Sequence, residues 1–302
     1  MTPTRLEPGQ TNAVGKMLGL LGDEWTLLLI SETLLGARSR SDYAEALPIS
    51  SYVLTSRLAR LEAEQLLVRV DKTTYEPTVK LTGLWAMLVA IWAWERRWNP
   101  GRDQVLDLIT HAACGEPLLP AITCRPCGER VVRDSVDVEF GPSGAWSRSV
   151  PEGSTRRRWT GARLSSEAGL FPEPMSLFGN RWSASLLGAA FMGVTRFGDF
   201  EVALGAPPVV VSARLRQFVN LGVMTQLEAD DRRAEYELTD KGWAFHTVVV
   251  LAITWAHRWY EAPEGPALEL THVICGNPFV PRVVCTDCGD RVTSEDVIVE
   301  RR

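Results

Sequence analysis

The residues with the most chemistry to offer are six cysteines and four histidines, and their spacing is regular. His111-Ala-Ala-Cys114 is followed by Cys124-Arg-Pro-Cys127, and His272-Val-Ile-Cys275 by Cys285-Thr-Asp-Cys288. Each run reads His-x2-Cys-x9-Cys-x2-Cys, and the two lie 161 positions apart. Together they use every cysteine and two of the histidines. A C-x-x-C pair forms a knuckle whose sulfurs converge on one tetrahedral metal, and His-x-x-Cys supplies two more donors. The expectation is one closed Cys3His site per run: His111, Cys114, Cys124 and Cys127 in the first, His272, Cys275, Cys285 and Cys288 in the second. That implies two structural Zn2+ ions per chain. Disulfides fit poorly, because three cysteines per run cannot pair off. A thioredoxin-type motif also fits poorly, since neither C-x-x-C sits at the strand-to-helix junction of a βαβ unit. Zinc deaminases need Glu two residues after the ligating His; here Ala113 and Ile274 stand at those positions. Four protein ligands leave no open position for water. The chain therefore reads as no enzyme.

The cysteine runs belong to a longer repeat. Leu21-Gly-Asp-Glu-Trp25 matches Phe178-Gly-Asn-Arg-Trp182 at an offset of 157, and Ser56-Arg57-Leu58 matches Ala213-Arg214-Leu215. Trp94-Glu-Arg-Arg-Trp98 answers Trp255-Ala-His-Arg-Trp259 at 161, which places a small insertion near 229–234. Two diverged copies of one domain follow. The expected division is 1–99, 100–139 (first zinc module), 140–169 (linker), 170–260 and 261–302 (second zinc module).

Hydrophobic residues make up 45% and charged residues 23%, the composition of a core-forming chain. No apolar run approaches the roughly 18 residues of a membrane span. The first ten residues lack an apolar signal-peptide core, so a cytoplasmic location is expected. Net charge is −5, which excludes a histone-like polycation but not a DNA reader with a basic face. The stretch 141–170 is the one net-positive segment, with five basic and two acidic residues centred on Arg156-Arg157-Arg158. Such a run is commonly just solvated, although it can also follow a phosphate backbone.

Asp23 is a good N-cap for a helix through Trp25 and Glu32 toward Gly36. A second helix is expected over Ser41–Leu47 with Ser41 as cap, and a third after Ser50 to about Ala63. Leu54, Leu58 and Leu61 share one face of that third helix. Leu67–Val70 and Val79–Leu81 read as a hairpin, and a Trp-rich helix over Thr82–Trp98 closes the copy. Helix, helix, turn, helix, hairpin, helix is the order of a winged helix-turn-helix. The fold class is mainly α with small β hairpins: two winged domains, each followed by a zinc-binding hairpin module.

The blocks Leu-Leu-Gly-Asp-Glu-Trp-Thr-Leu-Leu-Leu-Ile, Ser-Arg-Leu-Ala-Arg-Leu-Glu and Glu235-Tyr-Glu-Leu-Thr-Asp-Lys-Gly242 resemble the HxlR family of bacterial winged-helix regulators. The resemblance covers about residues 12–98 and 170–260. It implies operator binding and pairing through first and last helices. Two features depart from the family: no cysteine precedes either first helix, and the chain carries two domains where most members have one.

The outward face of the first copy's third helix presents Ser51, Tyr52, Thr55, Ser56 and Arg60, with Arg57 at its boundary and Lys72 in the wing. Hydroxyls and arginines suit phosphate and base-edge contacts on double-stranded DNA. The matching helix of the second copy presents Val209, Ala213, Arg216 and Gln217, beside Arg214, and its wing carries Arg232 and Arg233. That face is more apolar, so unequal DNA contact is expected. Eleven tryptophans first suggest packing and, beyond it, a small-molecule effector in a Trp-rich cleft between the long helices. The reading is a sequence-specific regulator working as a single-chain pseudo-dimer, with room for further homodimerisation. Its rival is a winged-helix and zinc module that binds a partner protein without specific DNA.

Overall fold

The computed structural model describes residues 1–102, 106–150, 172–179, 181–227 and 234–301. Most of the linker and the expected insertion, with Arg232 and Arg233, lie outside the described residues. A two-residue strand β1 (Thr4–Arg5) precedes four helices, α1 (Ala13–Leu21), α2 (Glu24–Leu34), α3 (Arg40–Ala46) and α4 (Ser51–Ala63). The wing strands β2 (Leu67–Arg69) and β3 (Tyr75–Pro77) lead into a short α5 (Val79–Thr82) and the long α6 (Trp85–Trp98). The first tail holds β4 (Leu108–His111), β5 (Pro120–Cys124) and β6 (Val136–Phe140), then α7 (Trp146–Ser149). The second copy repeats the order: α8 (Pro172–Phe178), α9 (Arg181–Phe191), α10 (Phe197–Leu204), α11 (Pro208–Asn220), β7 (Met224–Leu227), β8 (Glu235–Leu238), α12 (Asp240–Ala244) and α13 (His246–Trp259). Its tail is β9 (Tyr260–Glu261), β10 (Leu268–His272), β11 (Pro281–Cys285) and β12 (Val297–Glu300).

Local signals explain most boundaries. Asp23 caps α2 by accepting from the Thr26 amide at 3.0 Å, and Ser50 caps α4. The cap of α3 is Ser39 rather than Ser41. Asp42, three residues on, reaches back to the Ser39 amide and completes a capping box that Ser41 cannot make. Val79–Leu81 is helical rather than a strand: the Thr78 hydroxyl accepts from the Lys80 and Leu81 amides and starts a turn, leaving Tyr75–Pro77 to pair with β2.

The recognition helices bury the faces that their periodicity marks. α4 buries Val53, Leu54, Leu58 and Leu61, and α11 buries Val211, Leu215 and Phe218. One hydrophobic cluster runs through both copies from Leu6 to Leu268. α13 packs on both α1 and α6 of the other copy. Equivalent residues exchange the same hydrogen bonds in both directions, as in an isologous contact. Trp94 Nε1 donates to the Lys241 carbonyl at 2.9 Å, and Trp255 Nε1 to the Lys80 carbonyl at 2.8 Å.

The tails depart from the expected pair of separate modules. β4 pairs with β12, β5 with β11 and β6 with β10, all antiparallel and all between copies. Ile122 faces Val283, its own equivalent, so the local symmetry axis passes there. The amides of Arg125 and Thr286 bond reciprocally to the carbonyls of Val280 and Leu119. The physical reason is size. A tail of about forty residues has too little sheet to bury a face alone, and interleaving two gives a shared one. Beneath it, Val89, Trp92 and Ile109 of the first copy pack with Val283 and Val292 of the second.

Candidate metal centres and nucleic-acid interface

The strand exchange brings the eight expected metal ligands together in two clusters, but not in the pairing read from the spacing. His111 and Cys114 meet Cys285 and Cys288, while Cys124 and Cys127 meet His272 and Cys275. Each cluster thus joins the His-x-x-Cys of one copy to the C-x-x-C of the other. Within a copy, β4 and β5 pair with different partner strands, which carries each half-site toward the opposite copy.

In each cluster the donor atoms all lie within 4.8 Å of one another. Cys114 Sγ is 4.0 Å from Cys285 Sγ, and His111 Nδ1 is 3.3 Å from Cys114 Sγ and 3.4 Å from Cys288 Sγ. The other cluster has nearly the same edges: 4.0 Å between Cys124 and Cys275, and 3.4 Å from His272 Nδ1 to both Cys127 and Cys275. Zn–S bonds of about 2.3 Å and Zn–N of about 2.0–2.1 Å give tetrahedral edges of roughly 3.5–3.8 Å. The donor sets fit a tetrahedral ion and leave no open position for water. Hydrogen bonds from Asn277 lower the Cys275 thiol, while burial raises Cys124 in the same cluster. Each knuckle turns through a glycine with positive φ, Gly115 (74°) and Gly128 (81°) in the first copy. Any residue with a Cβ would be strained there.

The proposed DNA face divides on inspection. Tyr52 is 85% exposed, and Ser51, Thr55, Ser56 and Lys72 are exposed too. Arg40, which the sequence reading missed, reaches Thr55 Oγ1 at 2.8 Å and adds a cation beside this face. Its contribution depends on how α3 packs against α4, which no local pattern shows. Arg57 does not reach outward. Its Nε and Nη2 grip the Asp23 carboxylate at 2.8 and 2.6 Å, fastening α4 to the start of α2. Burial raises the Asp23 carboxyl, yet the bonds from Arg57 and Thr26 more than offset this, leaving it below the usual range. Arg60 gives an N–H to the Gly19 carbonyl of α1 at 2.6 Å. In the second copy Arg214 is half-buried and bonded to Gln217 at 2.7 Å, while Arg216 is exposed.

Comparison with known proteins bears on the two winged-helix regions. Residues 20–103 and 177–264, more than half of the chain, match the HxlR-like helix-turn-helix family. The chain belongs to that family. It is a transcriptional regulator of HxlR type with two helix-turn-helix regions. An uncharacterized HTH-type transcriptional regulator of Mycobacterium tuberculosis is 38% identical over 128 residues, which is 42% of this chain and 81% of that protein. Its counterpart in Mycobacterium bovis is 37% identical over the same length and the same shares of both chains. The crystal structure of PA1607, described there as a candidate transcription factor, is 34% identical, with a TM-score of 0.39 over 46% of this chain and 97% of that one. Among the described residues, no helix is long and apolar enough to cross a membrane.

Proposed function

We propose that this regulator binds DNA sequence-specifically as the single-chain counterpart of a dimer, with two structural Zn2+ ions fastening its interleaved tails. The observation that carries the reading is the outer face of α4. Tyr52 is 85% exposed and Ser51, Thr55 and Ser56 are exposed beside it, with Arg40 bonded to the Thr55 hydroxyl, while the helix itself is fixed from behind by the Arg57–Asp23 pair. A covalent pair holds its two recognition helices at high effective concentration and lets them diverge. Base contacts on this reading come from Ser51, Tyr52, Thr55 and Ser56, and backbone contacts from Arg40, Lys72 and Arg216. The zinc is structural, with four protein ligands each: His111, Cys114, Cys285 and Cys288, and Cys124, Cys127, His272 and Cys275. It supplies folding free energy where the strands alone are short.

One observation favours the rival reading, a partner-protein module. Val202 and Val209, on α10 and α11, are 84% and 71% exposed. Binding to genomic fragments across a salt series separates the two. A regulator recovers discrete sites, and its affinity falls steeply and linearly in log salt. Binding that is indifferent to sequence, or absent at low salt, overturns the DNA reading.

A further inference from the structure

A cavity of about 70 Å3, partly open to solvent, lies between the copies. α1 of the first copy forms one wall, α9 and α13 of the second the others, and β6 and β10 flank it. Trp146 is the one lining tryptophan among the described residues, so their part of the wall is not the Trp-rich cleft expected from the sequence.

Comparison with the first copy shows how the space arises. Ala184 and Ser185 stand where Leu27 and Leu28 fill the matching core, and His246 and Ile253 where Trp85 and Trp92 stand. Gly188 replaces Ser31 in mid-helix, and a Cβ built on it meets nothing within 4 Å. A helix-interior glycine is less stable than alanine, so the open space comes at the expense of stability. Phe191 in place of Leu34 runs the other way; its ring meets His246 edge-on at 5.0 Å. Close-packed interiors do not normally keep such a void.

Three polar side chains stand in an otherwise apolar wall, and one of them, Ser149, already accepts from Asn12. Ser185 is buried and its hydroxyl has no hydrogen-bond partner. Burial pushes the His246 imidazole down to about 4, so it is neutral, with one donor and one acceptor nitrogen. Among the described residues no Lys, Arg, Asp or Glu lines the cavity, and against that lining a charged ligand would lose its hydration uncompensated. Aromatic rings, Phe140 and Trp146 at 5.1 Å among them, favour a flat guest.

We propose that this cavity binds a neutral, largely aromatic small molecule whose single hydroxyl bonds to Ser185 and His246. Because α9 packs on α11, such a ligand would brace the second recognition helix against the first copy. That effector role rests on the DNA reading; the binding itself does not.

The test is calorimetric titration of the full chain with 1-naphthol, naphthalene and 1-naphthoate. We expect saturable binding of 1-naphthol, at least tenfold weaker binding of naphthoate, and a loss of several-fold for naphthol but not naphthalene in Ser185→Ala. Ala184→Leu with Ser185→Leu, the residues of the first copy, should abolish binding. If that variant misfolds, Gly188→Ala places one methyl in the open space and should weaken naphthol while raising Tm. No saturable naphthol binding by the wild type, or unchanged binding by the filled variants, overturns the proposal. Naphthol binding by a chain that shows no specific DNA affinity would leave the cavity standing and sink only its effector role.

Discussion

Once one C-x-x-C is removed, deleting a second half-site gives opposite outcomes for the two possible ligand pairings. Cys124→Ser with Cys127→Ser takes two of four donors from the cluster completed by His272 and Cys275, and that cluster should empty. Wild-type protein should hold about two zinc ions per chain by ligand count, and this variant about one. Adding His272→Ala and Cys275→Ser should change nothing further, because those residues belong to the same emptied site. Adding His111→Ala and Cys114→Ser instead should take the count to about zero. Pairing within each copy predicts the reverse for both combinations. At free zinc some hundredfold to thousandfold above the Kd, one ion contributes about 3–4 kcal/mol. At about 2–4 °C per kcal/mol for a chain of this size, its loss lowers Tm by roughly 6–15 °C. Because all three strand pairs bridge the copies, protection of amides in both β5 and β11 should fall. Metal analysis by mass spectrometry with hydrogen exchange reads all of this. A quadruple variant lacking Cys124, Cys127, His272 and Cys275 that carries no zinc would refute the exchanged sites.

Arg57→Ala should cost stability rather than recognition. It strands the Asp23 carboxylate, whose side chain is 11% exposed, at about 1–3 kcal/mol by urea titration, against nearly nothing for the exposed Arg216→Ala. A stability loss equal to that of Arg216→Ala would show the pair to be idle. Tyr52→Ala with Thr55→Ala should weaken the native site by roughly tenfold or more, with little effect on a scrambled one, since a good base contact is worth about 1–3 kcal/mol. Equal loss on both sequences would make these backbone contacts only. His257 is half-buried and its buried Nε2 lacks a partner; desolvation pushes it down to about 4, against roughly 6.5 unfolded. Between those values the unfolded chain binds the extra proton, so stability falls as pH falls through 6.5, by about 2 kcal/mol from pH 7 to 5. His257→Phe should remove that share of the slope, and an identical slope in both proteins would count against it.

The repeat, the winged order and the eight candidate metal ligands were legible because each is a local pattern. Knuckle spacing, a cap before an apolar period and a duplicated block survive in one dimension. The same is true of the buried faces of α4 and α11, whose leucines, valine and phenylalanine recur at helical period. Side-chain destinations were not legible. Arg57 sits in a helix pattern that suits DNA, and only the approach of Asp23 from 34 residues away turns it inward. Ser185 and Gly188 look like ordinary small residues until α1 of the other copy is placed opposite them. Spacing marked which residues could hold a metal, because the reach of a knuckle is set within four residues. It could not fix which knuckles meet. In two nearly identical copies, either pairing satisfies the same local chemistry, and burying the sheet shared by β5 and β11 selects the exchanged one.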